Sequence, residues 1–381
     1  MTARLILLFG LAALSARGQS VSLAPRQLDL PAEGVTVPLH LLMGSRATVD
    51  VIVNGRGPYV FAIETGAPVI VLTDKLAADL HLATSAAPSS GHELIRLDSL
   101  RVGDLVLRDV PAATGPEYLP GVDGLLGLTA YADLVLTIDY PARRVAFARR
   151  ALPAPNGRDV LPTVALGPFI GVTFDVGNRH QPAVLDTQSS SAIDCAPDVA
   201  DSLRFVSAPV VTGRVAIGGQ PPVSMASARL DGDIRLGAFT IQRPIINIVS
   251  PPPGFPRKCL LGSQFLMQFA VSLDQRNGRV RLSRSDPVVP PPHGVRVIGV
   301  ALAPGATGGV VIADARAGGP AAAAGLRAGD DVIRIAERPA AEFLAPEALP
   351  ALVQRGRVIH FSVRRDGRPL EFDVSPADLV P

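Results

Sequence analysis

Residues Val60-Phe61-Ala62-Ile63-Glu64-Thr65-Gly66-Ala67-Pro68-Val69-Ile70-Val71-Leu72 set one carboxylate, one hydroxyl and one glycine between two apolar runs. The runs are rich in Val, Ile and Leu and short enough for buried strands, and Gly66 supplies the backbone freedom of a sharp turn. The stretch predicts strand, tight turn, strand, with an acid where two core strands meet. The same pattern returns at Pro182-Ala183-Val184-Leu185-Asp186-Thr187-Gln188-Ser189-Ser190-Ser191-Ala192-Ile193, which places Asp186 122 positions beyond Glu64. One acidic turn says little; two point to a duplicated unit.

The flanking sequence repeats with the turns. Ahead of Glu64, Val37-Pro38-Leu39-His40-Leu41 and residues 48–53 read as strands, and Asn54-Gly55-Arg56-Gly57-Pro58 turns the chain back toward the acid. After it come a short helix over 74–80, a pair of strands about Gly103, the run Gly124-Leu125-Leu126-Gly127-Leu128 and a hairpin over 134–147. Past the second acid, residues 234–241, Leu260-Leu261-Gly262 and 271–282 follow in the same order. This organisation predicts a β-rich lobe over 37–150, a proline-rich linker over 151–163, a second lobe over 164–285 and a stiffer linker over 286–293. Residues 294–376 then form a smaller α+β domain, with strands over 295–301 and 309–313 and an alanine helix bounded by Pro320 and Gly325. A further strand spans 331–335, a helix near 347–354 takes Pro350 in its first turn, and strands over 358–364 and 370–374 finish the chain.

Composition excludes several function classes. Of 381 residues, 48% are hydrophobic and 18% charged, which suits packed domains rather than disorder. The net charge of +2, the scattered basic residues and the absence of Trp give no footprint for nucleic acid. The six His follow no zinc spacing, so neither a metal nor any other cofactor is expected. Residues 1–18 resemble a secretory signal, with Arg4, an apolar run over 5–14 and small residues near Gly18. The mature chain is therefore expected to be exported, to the periplasm or the medium, with no membrane span once the signal is gone. In such a compartment the only two cysteines, Cys195 and Cys259, could form a disulfide, the alternative being two buried thiols.

Two carboxylates facing each other across a pseudo-two-fold axis cannot both ionise at close range and share one proton, so that one acts as base and the other as acid. That pair can activate a water for attack on an amide. The repeated Asp-Thr-Gly-type turns, each followed by Leu-Leu-Gly, resemble pepsin- and retropepsin-class aspartic peptidases. The segments Val53-Asn54-Gly55-Arg56-Gly57-Pro58-Tyr59-Val60-Phe61 and Thr137-Ile138-Asp139-Tyr140, with the Gly319-Pro320-Ala321-Ala322-Ala323-Ala324-Gly325-Leu326-Arg327-Ala328-Gly329-Asp330 run, narrow this to bacterial exported aspartyl proteases with a C-terminal PDZ domain. The resemblance implies two tandem retropepsin-like lobes in a pepsin-like bilobal arrangement, followed by a PDZ domain. It implies catalytic residues Glu64 and Asp186, supporting turn residues Thr65, Gly66, Thr187 and Gln188, and threonine hydroxyls that cross-link the turns. In the PDZ domain it implies peptide capture at Val297, Ile298, Gly299 and Val300, where backbone amides hold a chain-terminal carboxylate. The partners it implies are a peptide or protein substrate and C-terminal peptide tails.

Two departures fall at the chemistry. Glu64 stands where the family has Asp, and its extra methylene displaces the carboxylate by about 1 Å, an error that can cost roughly a hundredfold in rate. Gln188 stands where the family has glycine, and a side chain there is expected to strain or refold the second turn. Together they predict a weakened protease, or alternatively a pseudoprotease that binds peptides through its cleft and PDZ domain. Residues 89–94 and 214–220 are the candidate lids over the cleft. A serine protease is excluded, because Ser189-Ser190-Ser191 lacks the glycines of such a loop and no His-Asp pattern accompanies it.

Overall fold

The computed structural model describes residues 24–86, 93–117, 119–215, 223–252, 258–292, 294–306, 308–344 and 348–380. The signal-like segment at 1–18, residues 89–92 of the first candidate lid and residues 216–220 of the second lie outside the described residues. The chain is mainly β and divides into two compact units, one holding residues through Pro209 with Gly213–Pro291, the other Val210–Thr212 with Pro292–Pro381.

In the first unit each acid ends a long strand whose apolar tail is buried. Arg56–Ile63 runs exposed to buried toward Glu64, and Arg179–Asp186 does the same toward its own last residue. Beside each lies the Leu-Leu-Gly strand, in parallel register with the acid-bearing strand: Leu126 opposite Ile63, and Gly262 opposite Asp186. The strand leaving the turn returns antiparallel on the other side of the same Leu-Leu-Gly strand, Val71–Thr73 in the first half and Ile193–Cys195 in the second. The two glycines are demanded by close approach. A Cβ at Gly127 would lie 2.0 Å from the carbonyl oxygen of Val69, and one at Gly262 would lie 2.3 Å from that of Ser191, because each acidic turn passes over its glycine.

A third sheet joins the halves. Val135–Asp139 pairs antiparallel with Ala270–Asp274 at its centre, the two hairpins flanking them, and Thr137 donates to or accepts from Ser272 at 2.8 Å where the paired strands cross. The core of this unit is continuous through both halves, from Val49 and Phe61 to Leu261 and Phe269. Cys195 and Cys259, opposite each other in register, form a disulfide that staples the strands around the second acidic turn.

The proline-rich joints differ from the expected linkers. Val160–Pro162 pairs with Arg279–Ser283 in the joining sheet, and Val288–Val289 pairs with Phe239–Ile241. In both places apolar residues within the joint find an unpaired strand edge, which outweighs the neighbouring prolines. The turn before Glu64 is also tighter than expected, since Asn54 and Gly55 alone make it, both at positive φ, and the strand resumes at Arg56.

The second unit has its own core around Ile312, Leu326, Phe361 and Val363. The helix Pro320–Ala324 begins with its proline and ends at Gly325 in the left-handed conformation, as predicted. The expected strand over 295–301 is broken into Val295–Val297 and Val300–Pro304, because Gly299 takes φ +79. A final strand, Ala377–Val380, was not anticipated; it pairs with Val295–Val297.

Asp330 anchors this unit. It is 1% exposed, receives both arms of the Arg365 guanidinium at 2.6 and 2.7 Å, and accepts the Arg327 amide at 2.9 Å. Burial pushes its carboxyl up, and the Arg365 fork and the amide more than offset this, so the net value lies below the usual carboxylate range. A carboxyl lowered by folding contributes stability above its unfolded value of about 3.9 and loses it as pH falls through the lowered one. Melting temperatures measured down an acid series should therefore fall more steeply for the parent than for Asp330→Asn. At neutral pH that variant should already be less stable by about 3–5 kcal/mol.

Candidate active site

The two acidic turns meet through their threonines. Thr65 Oγ1 donates to the Leu185 carbonyl at 2.7 Å and accepts the Thr187 amide at 3.1 Å. Thr187 Oγ1 donates to the Ile63 carbonyl at 2.6 Å and accepts the Thr65 amide at 3.2 Å. Each hydroxyl thus crosses to the other half, and both threonines are fully buried. Because the strands of both halves enter this junction rigidly, the residues before each threonine, Glu64 and Asp186, are brought to the same place.

Gly66 measures how close. The point where its Cβ would sit is 2.8 Å from Glu64 Oε1 and 3.4 Å from Asp186 Oδ2, so both carboxylates flank one glycine that leaves them room. The Gly66 amide donates to Glu64 Oε1 at 2.7 Å. In the second turn the Gln188 amide donates to Asp186 Oδ1 at 3.0 Å and the Ser189 amide joins it at 2.8 Å. Glu64 and Asp186 are 3% and 4% exposed.

Gln188 departs from the expectation that it would refold the turn. Its φ is not among the positive ones, so the position never needed glycine's freedom, only space for a side chain. That side chain runs across to the first half, where Nε2 donates to the carbonyls of Ala47 at 2.9 Å and Ile63 at 2.8 Å. Arg46 answers from the same strand end, with Nε donating to the Gln188 carbonyl at 2.8 Å. Ser45 and Ser263 add a further link between the halves at 2.8 Å.

Behind the pair lie two phenols that sequence reasoning did not single out. Tyr131 and Tyr140 are 1% and 3% exposed, and their hydroxyls have no hydrogen-bond partner among the described residues. Burial pushes both above the usual phenol range, with the Glu64 charge adding at Tyr131 and the Asp186 and Glu64 charges at Tyr140. Tyr140 belongs to the Thr137-Ile138-Asp139-Tyr140 segment already noted in sequence, so a signal existed; Arg46 carried none. Among the described residues no group of His, Cys, Asp and Glu could hold a metal.

The second unit places its predicted site residues at one bend. Val297 ends one strand, Val300 begins the next, and Ile298 is buried between them. The carbonyls of Ile298 and Gly299 accept the amides of Ala321 and Arg316, which turns the oxygens toward the helix Pro320–Ala324. Val300–Pro304 is an edge strand of its sheet, paired on one side with Val310–Ala315. A peptide can add there as a further strand.

Two buried acids at strand ends are thus held together by a reciprocal threonine bridge between duplicated β halves. Residues 49–130 match the family described as aspartyl protease, and residues 293–375 match the PDZ domain family. The chain thus carries a retropepsin-like aspartyl protease domain and, C-terminal to it, a PDZ domain. Among solved structures, a retropepsin-like aspartic protease from Rickettsia conorii is 18% identical, with a TM-score of 0.25 over 32% of this chain and 90% of that chain. An aspartic proteinase from Irpex lacteus is 13% identical, with a TM-score of 0.41 over 66% of this chain and 97% of that chain. No curated protein matches the chain.

Thr65→Val and Thr187→Val each remove a buried hydroxyl that serves the opposite turn, and each should cost about 1–3 kcal/mol in urea unfolding. The double variant should lose less than the two single losses combined, since both hydroxyls serve one junction.

Proposed function

We propose that the chain is an aspartic-type endopeptidase-like protein in which Glu64 and Asp186 activate a water for peptide-bond hydrolysis, with a PDZ domain that docks substrates or partners by their C-terminal tails. The observation that carries this reading is the common flank at Gly66, where both carboxylates lie within 3.4 Å of one point. A water held between them gives one proton to the ionised carboxylate as its oxygen bonds to the substrate carbonyl carbon. The protonated partner gives its proton to the carbonyl oxygen, so that a neutral tetrahedral diol forms. On collapse the protonated carboxyl gives its proton to the nitrogen, the C–N bond breaks, and a diol hydroxyl returns its proton to the pair as the product carboxyl forms. No covalent intermediate and no cofactor enter this sequence.

The extra methylene of Glu64 is the reason to expect slow turnover, since reach and orientation at the reacting carbon cost rate steeply. The pseudoprotease reading is favoured by a different observation, the Gln188 side chain filling the boundary between the halves where the family has only a hydrogen. We further propose that the chain is exported, on the strength of the signal-like residues 1–18, and works in the periplasm or the medium.

Cleavage of an unfolded protein substrate between about pH 3 and pH 8 tests the catalytic reading. Asp186→Ala should abolish it, and cleavage that survives this change contradicts the dyad. Glu64→Asp should raise the rate by about tenfold or more. At the PDZ domain, Gly299→Val should weaken capture of a peptide ending in a free carboxylate, because its φ of +79 strains a β-branched residue. In fluorescence anisotropy, the parent should prefer that peptide to its C-terminal amide.

A further inference from the structure

The sheet that joins the two halves buries only one of its faces. Ile138, Val145, Val271 and Leu282 are at most 1% exposed, so the alternate residues of the same strands turn away from the core. On that outer face Arg144, Asp139, Ala270 and Ser283 stand in one row, each opposite the next in antiparallel register. Directly opposed residues share a face about 5 Å apart, so Asp139 and Ser283 stand about 10 Å apart with the small Ala270 methyl between them. In the next row inward, Thr137 and Ser272 close on each other through their hydroxyls at 2.8 Å. A cleft of about 470 Å³ opens here, lined by Asp139 and Pro141, by Ser283, Arg284 and Ser285, and by Gln268 and Ala270. That volume falls in the range of small-molecule sites, about 300–1,000 Å³.

The donors of this cleft are unspent. Asp139 is already satisfied: Oδ1 accepts the Ala142 amide at 3.0 Å and Oδ2 the Arg144 guanidinium at 3.0 Å, which balances its charge. Arg284 is held by backbone instead, Nε donating to the Asp286 carbonyl at 2.9 Å and Nη1 to the Gln268 carbonyl at 3.4 Å. Among the described residues it forms no ion pair, and its Nη2 has no acceptor. The Gln268 side-chain amide and the hydroxyls of Ser283 and Ser285 likewise make no hydrogen bond among the described residues. A guanidinium clamped by two carbonyls is preorganised, since little of its freedom is left to lose when a ligand arrives.

We propose that this cleft binds a small hydroxylated organic acid, with its carboxylate on Arg284 and its hydroxyls on Ser283, Ser285 and Gln268. Charge selects the carboxylate. With Asp139 cancelled by Arg144, the cleft offers one net positive charge, which a monoanion matches and a phosphate dianion exceeds. Hydrogen bonds from a guanidinium to a carboxylate are charge-assisted and among the stronger ones available. The other lining groups select the hydroxyls. Only Pro141 and Ala270 are apolar, and a hydrocarbon tail would cover the two serines and the glutamine without pairing them. A hexuronate carries both features on one compact frame.

Ligand-observed NMR on the full chain, with D-glucuronate as the probe, tests the proposal. D-glucuronate should bind at millimolar concentrations, and D-glucose, which lacks the carboxylate, should bind about tenfold or more weakly. Hexanoate, which lacks the hydroxyls, should also bind more weakly, as should inorganic phosphate. Arg284→Gln should weaken D-glucuronate by about tenfold or more. Ala270→Leu, which fills the floor and leaves Arg284 in place, should weaken it comparably. No binding by the parent, equal binding of D-glucose, or binding unchanged in Arg284→Gln would overturn the proposal. Phosphate or hexanoate bound more tightly than D-glucuronate would overturn the assigned ligand class. Arg284→Gln, at a half-buried position, keeps the test decisive should Ala270→Leu not fold.

Discussion

The reciprocal threonine bridge between Thr65 and Thr187 is the constraint on which the rest of the first unit depends. A hydroxyl that donates to a carbonyl of the opposite turn and accepts an amide from it leaves no freedom for either turn to shift alone. Buried polar groups are costly unless paired, so the bridge is also a requirement: opening it would strand two hydroxyls and two amides away from water. The position of the acids follows, because each is the residue before its threonine at the end of a strand locked into a sheet. Close packing of each turn over Gly127 and Gly262 then fixes the outer side of the junction.

Within this two-fold plan the halves are unequal in ways that bear on chemistry. The first turn has the longer acid and the small residue, Glu64 and Gly66; the second has the shorter acid and a large amide, Asp186 and Gln188. The disulfide lies only in the second half, where Cys195 and Cys259 close the strands around Asp186. One backbone amide is given to Glu64 Oε1 and two to Asp186 Oδ1. The first turn has the carboxylate with more reach.

Much of this plan was legible in sequence because it is local. Apolar runs ending in an acid, a threonine and a small residue, with Leu-Leu-Gly to follow, declare buried strands and a turn wherever they occur, and their recurrence declares the duplication. The PDZ helix was legible for the same reason, with Pro320 and Gly325 marking its ends. What was not legible depends on partners far away. Gln188 looked like a disruption because the carbonyls that receive its side chain, those of Ala47 and Ile63, lie 141 and 125 positions distant. Arg46 gave no signal since its contact with residue 188 spans 142 positions. The strands hidden in the proline-rich joints and the closing strand Ala377–Val380 exist because an open sheet edge was available, which no local pattern reveals.

The central claim is that Glu64 and Asp186 form one site. The most direct measurement is an experimental structure of the chain with a peptide isostere that carries a hydroxyl in place of the scissile carbonyl. The account predicts the hydroxyl oxygen between the two carboxylates, within hydrogen-bond reach of both, at about 2.5–3.0 Å. An isostere seated elsewhere, or one whose hydroxyl touches only Asp186 while Glu64 turns away, would contradict it.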